Sequence, residues 1–175
     1  MKKDLEIVFT LGHGARTIED FLGVLDFYRI RCLVDVRTVP RSRHNPQFNQ
    51  DALPSVLEKQ GIDYRHVPAL GGFRHPQPGS LNDGWRNESF RGFADYMATE
   101  AFSEAMDELA LLSREVRTVL VCAETLPWRC HRSLIADALT ARGIPVEHIF
   151  KAGVSQRHRV TPWVRIDGKR LTYPA

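Results

Sequence analysis

The residues able to do chemistry fall in three short stretches of this 175-residue chain. The densest runs Cys122-Ala123-Glu124-Thr125-Leu126-Pro127-Trp128-Arg129-Cys130-His131-Arg132-Ser133. It joins an apolar run to a helix start, where free backbone N–H groups and the helix dipole favour anions. Cys130 stands at that start beside His131 and Arg132, so its thiol is expected to lose its proton readily and act as a nucleophile or tune the site. Cys122 closes the apolar run and reads as a small core residue, as does Cys32. Glu124, at the mouth of the run, is a candidate acid/base shared with His131, because desolvation raises a carboxyl pKa. Arg129 and Arg132 offer the planar fork that suits phosphate or carboxylate.

The second stretch holds Arg37, Arg41, Arg43 and His44 within eight residues, with no acid between Val36 and Gln50. Such a loop sets up a strong positive field, and Pro40 and Pro46 stiffen it. The functional reading is an anion clamp. The bland reading is a solvated loop, or arginines paired with acids elsewhere. Asp35, inside an apolar strand, needs a partner, which Arg37 or a backbone turn would supply. The third stretch is Gly12-His13-Gly14. His13 is either a second titrating group or a turn histidine bonding backbone. A metal on Cys122, Cys130 and His131 is not expected, since adjacent residues seldom reach one ion and no Cys-x-x-Cys pair exists. Phe73, Trp85 and Trp128 either stack a base or form a satellite core under a long loop.

These stretches need elements to hold them. Glu6–Leu11, Cys32–Val36, Ile62–Val67, Thr118–Cys122 and Val146–Phe150 read as strands, most of them almost wholly apolar. Helices are expected after Thr17, through Ala52–Leu57, near Phe90–Ala98 and Glu100–Ser113, and over Ser133–Ala141. Thr17 with Asp20 suggests a capping box. Val164–Tyr173 centres on Asp167-Gly168, a hairpin signal. Pro68–Ser89 is a long connection rich in glycine and proline. Strands alternating with helices predict an α/β fold: one domain over residues 1–175, with a mostly parallel sheet of about five strands between two helical layers. Its core spans about 5–150, and a C-terminal extension with a hairpin fills 151–175. In such sheets ligands bind beyond the carboxyl ends of the strands, so all three stretches should meet on one edge.

Composition excludes some classes. Apolar residues are 43% and charged residues 26%, normal for a globular domain. No apolar run approaches the roughly 20 residues of a membrane helix, and none of signal-peptide length follows Lys2-Lys3. Three cysteines with no disulfide spacing point to a reducing, cytoplasmic compartment. The net charge of +3 is too small to argue for nucleic acid, although 19 of the 24 basic residues are arginine.

Several segments carry a family resemblance. They are Thr10-Leu11-Gly12-His13, Val34-Asp35-Val36-Arg37 through Pro40-Arg41-Ser42, Asn45-Pro46-Gln47-Phe48, and Cys122-Ala123-Glu124 with Cys130-His131-Arg132. Leu70-Gly71-Gly72 and Ser89-Phe90-Arg91-Gly92 also fit. Over residues 8–150 the chain resembles the domain-of-unknown-function 488 family, which implies the α/β fold and little about activity. His13-Gly14 departs from the expected His-Ser, removing a hydroxyl beside the histidine. The strand–Cys–loop–Arg–helix layout resembles rhodanese and protein tyrosine phosphatases, and Leu33-Val34-Asp35-Val36-Arg37 resembles the rhodanese aspartate-valine-arginine strand. Six residues between Cys122 and Arg129, where the phosphatase pattern has five, speak against that pattern, as do Glu124 and Pro127.

The leading functional expectation is a hydrolase or transferase for a phosphate-bearing, nucleotide-related substrate. Glu124, Cys130, His131 and His13 would be its catalytic groups, and Arg37, Arg41, Arg43, Arg129 and Arg132 its anion ligands, with no cofactor. The alternatives are a non-catalytic nucleotide- or nucleic-acid-binding module and a rhodanese-like sulfurtransferase. Partners would be a small phosphate-bearing ligand or nucleic acid, with no membrane, and nothing in the pattern points to a particular oligomeric state.

Overall fold

Apolar residues alternate between two faces along each central strand. Val119 and Val121 face one core while Leu120 and Cys122 face the other, and Leu33 opposes Cys32 and Val34 in the same way. Strands buried on both faces need helices on both sides. The computed structural model describes residues 6–175. Its strands are β1 (Val8–Gly12), β2 (Cys32–Asp35), β3 (Asp63–His66), β4 (Thr118–Cys122), β5 (Val146–Lys151), β6 (Val154–Arg157), β7 (Arg165–Asp167) and β8 (Arg170–Thr172). The helices are α1 (Ile18–Phe27), α2 (Leu53–Lys59), α3 (Glu88–Tyr96), α4 (Glu100–Glu115) and α5 (Arg132–Ala141).

The main sheet has six strands in the order β3-β2-β4-β1-β5-β6. The first five are parallel, and β6 folds back antiparallel on β5. The sequence suggested about five strands. Val154–Arg157 was missed because it is mostly exposed and carries one apolar residue, so no alternation marks it. Its turn contains Gly153 at φ 79°, a conformation that favours glycine. The expected C-terminal hairpin is β7–β8, with Gly168 at φ 60° in the turn.

On one face, Phe21, Val24 and Leu25 of α1 and Leu53 and Leu57 of α2 pack on Phe9, Leu33 and Val121. On the other, α3, α4 and α5 bring Phe93, Phe102, Met106, Leu109 and Leu134 against Val34 and Leu120. Each such side chain stabilises the fold by roughly 1.5–3 kcal/mol. Caps set the helix starts. The Asn87 side-chain oxygen accepts from the N–H groups of Ser89 and Phe90, so α3 begins at Glu88, two residues before the sequence-based start. Thr17 caps α1 by accepting from Asp20 N at 3.1 Å. The Asp20 carboxylate pairs with Arg16 at 3.2 Å, leaving the capping box half made.

The long connection between β3 and α3 is held in place. Asp95 of α3 accepts from Gln77 N (2.8 Å), Ser80 Oγ (2.6 Å) and Asn82 Nδ2 (2.7 Å). Gly92 lets this loop seat on α3, since an added Cβ would lie 2.1 Å from the Arg74 carbonyl oxygen. Trp85 of the loop packs on Phe90, Trp163 and Tyr173 as a satellite cluster. Among the described residues no helix is long and apolar enough to cross a membrane.

Candidate active site

Because β1, β2 and β4 are parallel neighbours, their carboxyl ends deliver His13, Arg37 and Cys122–Glu124 to one edge of the sheet. There they line a cleft of about 380 Å³, together with Arg41, Arg129, Cys130 and His131. The β1–β4 pairing runs on past the strands, with His13 N donating to Cys122 O at 2.8 Å and Gly14 N to Ala123 O at 3.0 Å. Gly12 permits this closeness. A Cβ there would stand 1.9 Å from the Glu124 carbonyl oxygen.

The two thiols at the cleft floor are the feature sequence reasoning did not foresee. Cys122 Sγ and Cys130 Sγ lie 2.9 Å apart, both buried and both free. Cys122 is a core residue, as the sequence suggests, and it also touches Cys130. A hydrogen bond from its thiol holds the Cys130 thiol well below the ordinary cysteine range, although burial opposes this. His131 and the charge of Arg132 act in the same direction. Burial pushes the Cys122 thiol well up, and the Cys130 hydrogen bond and charge add to that. The surroundings therefore favour the proton on Cys122 over Cys130. The Cys130 sulfur also accepts from Arg132 N at 3.5 Å, taking the place of a capping oxygen at the start of α5.

His131 is oriented for this role. Its Nε2 lies 3.0 Å from the Val36 carbonyl, which only accepts, so Nε2 carries a hydrogen. Nδ1 then faces Cys130 Sγ at 3.5 Å. The Cys130 sulfur, the His131 ring and the Val36 carbonyl thus stand in series.

Arg37 is mostly committed inward. Nε and Nη2 grip Asp35 at 2.9 and 2.7 Å, Nη2 also donates to Phe48 O at 2.6 Å, and Nη1 donates to His13 Nε2 at 3.3 Å. That leaves one Nη1 hydrogen for a ligand. Asp35 accepts also from Tyr64 at 2.6 Å, so the buried acid is fully bonded and structural. His13 Nδ1 donates to Gly14 O at 2.8 Å, and its ring stacks on Phe48. Burial lowers its pKa to about 4, and neighbouring Arg37 adds to the effect. His13 is therefore neutral near pH 7 and is the turn histidine of the two expectations.

Arg132 does not line the cleft. It is fully buried, donating to Thr10 Oγ1 at 3.1 Å and to the carbonyl oxygens of Glu124 (2.6 Å) and Thr125 (3.4 Å). It braces the loop beneath the thiols instead of meeting a ligand. The helical spacing of Arg132 with Ile135, Ala136 and Leu139, all buried, was the available sign. From Thr10 a chain of hydrogen bonds continues through His148 (2.6 Å) and His158 (2.9 Å) to buried Asp137 (2.7 Å). Arg43 is exposed but outside the cleft lining. Arg41 and Arg129 are exposed at its edge and make no ion pair among the described residues. Glu124 is exposed at the cleft and not desolvated as the sequence reading expects, its Oε1 accepting from Leu126 N at 3.1 Å. Among the described residues no group of three or more histidine, cysteine or acidic side chains converges to hold a metal.

Fold and site define an α/β protein with paired thiols in an arginine-edged cleft at the carboxyl edge of its sheet. The chain belongs to the DUF488 family, described as a domain of unknown function, whose model matches residues 17–139. The matched span holds Arg37, Cys122, Glu124 and Cys130, whereas His13 precedes it. No curated protein and no solved structure matches the chain.

Proposed function

We propose that the protein is a thiol enzyme for a phosphate-bearing, nucleotide-sized substrate, with Cys130 as its nucleophile. The observation that carries this reading is the 2.9 Å pairing of Cys122 with Cys130 on the floor of the cleft. Two buried thiols this close share their protons unequally, and the sulfur beside His131 and the helix start becomes the thiolate. The cleft volume of about 380 Å³ suits a small ligand. Arg41, Arg129 and the remaining Arg37 hydrogen meet the anion, while Phe73 and Phe90 form an apolar wall for the rest of the substrate.

In the first step the Cys130 sulfur attacks phosphorus, and the bond to the leaving oxygen breaks. That oxygen takes a proton from the Glu124 carboxyl. In the second, water attacks phosphorus, the phosphorus–sulfur bond breaks, and Glu124 recovers the proton. An acceptor hydroxyl in place of water makes the same site a transferase. The sulfurtransferase alternative uses the same thiolate: attack on the outer sulfur of thiosulfate leaves a persulfide on Cys130 and releases sulfite. A binding module would use the arginines and need neither Cys130 nor Glu124.

Alkylation by iodoacetamide tests the reading, with the modified residue located by peptide mapping. Cys130 is expected to react at pH 6, and millimolar inorganic phosphate or a nucleoside monophosphate is expected to slow it. Cys130→Ser should remove the reaction while leaving nucleotide binding in place. Modification only above pH 8, or a rate indifferent to phosphate, would overturn the proposal. Intact mass after thiosulfate decides the alternative: one added sulfur favours sulfur transfer, and an unchanged mass removes it.

A further inference from the structure

Charge is unevenly spread along the chain. Six of the 24 lysines and arginines, but only one of the 21 acids, fall in residues 151–175. All six cations (Lys151, Arg157, Arg159, Arg165, Lys169 and Arg170) are exposed. Without this segment the chain is slightly acidic, so its modest net charge conceals a strongly basic C-terminal segment.

Part of that segment lines a second groove, of about 330 Å³, separate from the thiol cleft. Trp128 and Trp163 wall it, and Arg157, His158 and Arg159 lie along it. The two indoles are 57% and 41% exposed, so both are open to a ligand in the groove. Trp163 is held edge-on against Trp85 with ring centres 5.0 Å apart, and Trp85 packs on Tyr173 at 5.6 Å, so the platform is fixed in place. Arg157 and Arg159 make no ion pair among the described residues. Both ring nitrogens of His158 are occupied, by Asp137 at 2.7 Å and His148 at 2.9 Å. The groove therefore has aromatic faces and free cations but no free acid/base group, which suits binding and not chemistry.

We infer that this groove binds a single-stranded polynucleotide, with bases stacked on Trp128 and Trp163 and phosphates on Arg157 and Arg159. Unpaired bases expose flat faces to indoles, whereas in a duplex they are covered by each other. An acidic peptide would satisfy the arginines and leave the indoles bare. The turn Pro127–Arg129 separates this groove from the cleft, turning Trp128 into one and Arg129 into the other. The inference stands independently of the chemistry assigned to Cys130.

Fluorescence anisotropy of labelled oligothymidine and oligouridine of about ten nucleotides, a length within one such site, tests it on the full chain. Both are expected to bind, with affinity falling as salt rises. Trp128→Ala should weaken binding roughly 5- to 150-fold, the equivalent of one stacked base. Arg157→Gln with Arg159→Gln should make the plot of log K against log salt shallower by about 1.4, for two lost phosphate contacts on a single strand. Cys130→Ser should bind as wild type does. Unchanged thermal midpoints keep these exposed-residue variants interpretable. The inference is overturned by no binding at low salt, by equal affinity of Trp128→Ala, or by a duplex binding as tightly as the single strand. Displacement of the oligonucleotide by polyglutamate at equal charge concentration would also overturn it, assigning the surface to acidic protein instead.

Discussion

Replacing Cys122 with alanine removes the hydrogen bond that most favours the Cys130 thiolate, donated across 2.9 Å inside the protein. A hydrogen bond to a charged group contributes about 1.5–3 kcal/mol, which corresponds to a roughly 10- to 150-fold smaller thiolate fraction at a pH below the inflection. A thiolate of higher pKa is intrinsically more nucleophilic, with a Brønsted slope of about 0.4–0.5 that offsets nearly half of that loss on a logarithmic scale. The rate of iodoacetamide modification should therefore fall roughly 4- to 16-fold at acidic pH. The inflection of the pH–rate profile should move upward with it. Cys122→Ser is the control, because a serine hydroxyl also donates and should keep most of the rate. Cys32 will not confuse the assay, since it is fully buried and burial raises its pKa. If the alanine and serine variants give superimposable profiles, the claim that Cys122 tunes Cys130 is wrong.

Acid should destabilise the fold well before the carboxylates titrate. Burial lowers His13 to about 4 and His148 to about 3, so both take up protons on unfolding. Their contribution is complete above pH 6.5 and is lost as pH falls toward those values, about 3 kcal/mol at most for His13. A urea midpoint that stays flat from pH 7 to about 4.5 contradicts this, and His13→Asn should flatten part of the slope. Gly12→Ala forces a methyl to 1.9 Å from the Glu124 carbonyl oxygen, so it should cost about 3 kcal/mol and lower the melting temperature by roughly 6–12 °C. A wild-type melting curve for that variant would show that the loop gives way freely. Burial alone would raise Asp95, but bonds from Ser80, Gln77 and Asn82 hold it below its ordinary value. Its anchoring is thus present above the unfolded carboxyl range and fades as pH falls through the folded one. Limited proteolysis near Gln77 should accelerate in acid, and Asp95→Asn should remove that dependence.

The convergence of His13, Arg37, Glu124 and Cys130 on one edge was readable from sequence because parallel strands send every carboxyl end the same way. The thiol pair was not. Strand alternation marks Cys122 as inward-facing, which fits a core residue equally well. Only the path of the Thr125–Arg129 loop, set by Arg132 from below, returns Cys130 to it. Arg132 itself looked like an anion ligand because cations at helix starts usually point outward. Here it occupies the apolar side of α5 and finds Thr10 and two carbonyl oxygens there. The second groove escaped notice because its walls, Trp128 and Trp163, lie 35 residues apart with no shared pattern.

The family match ends at residue 139, yet Asp137 takes its bonds from Thr161, His158 and Tyr173, all of them later in the chain. Tyr173 also donates its N–H to Asn82 at 2.9 Å and accepts from Gly84 N at 2.8 Å, tying the segment after β8 to the β3–α3 loop. A version cut after β5 would leave the buried Asp137 carboxylate without His158, Thr161 and Tyr173. The last two dozen residues thus reach the loop beneath the sulfur atoms, through His158, His148, Thr10 and Arg132.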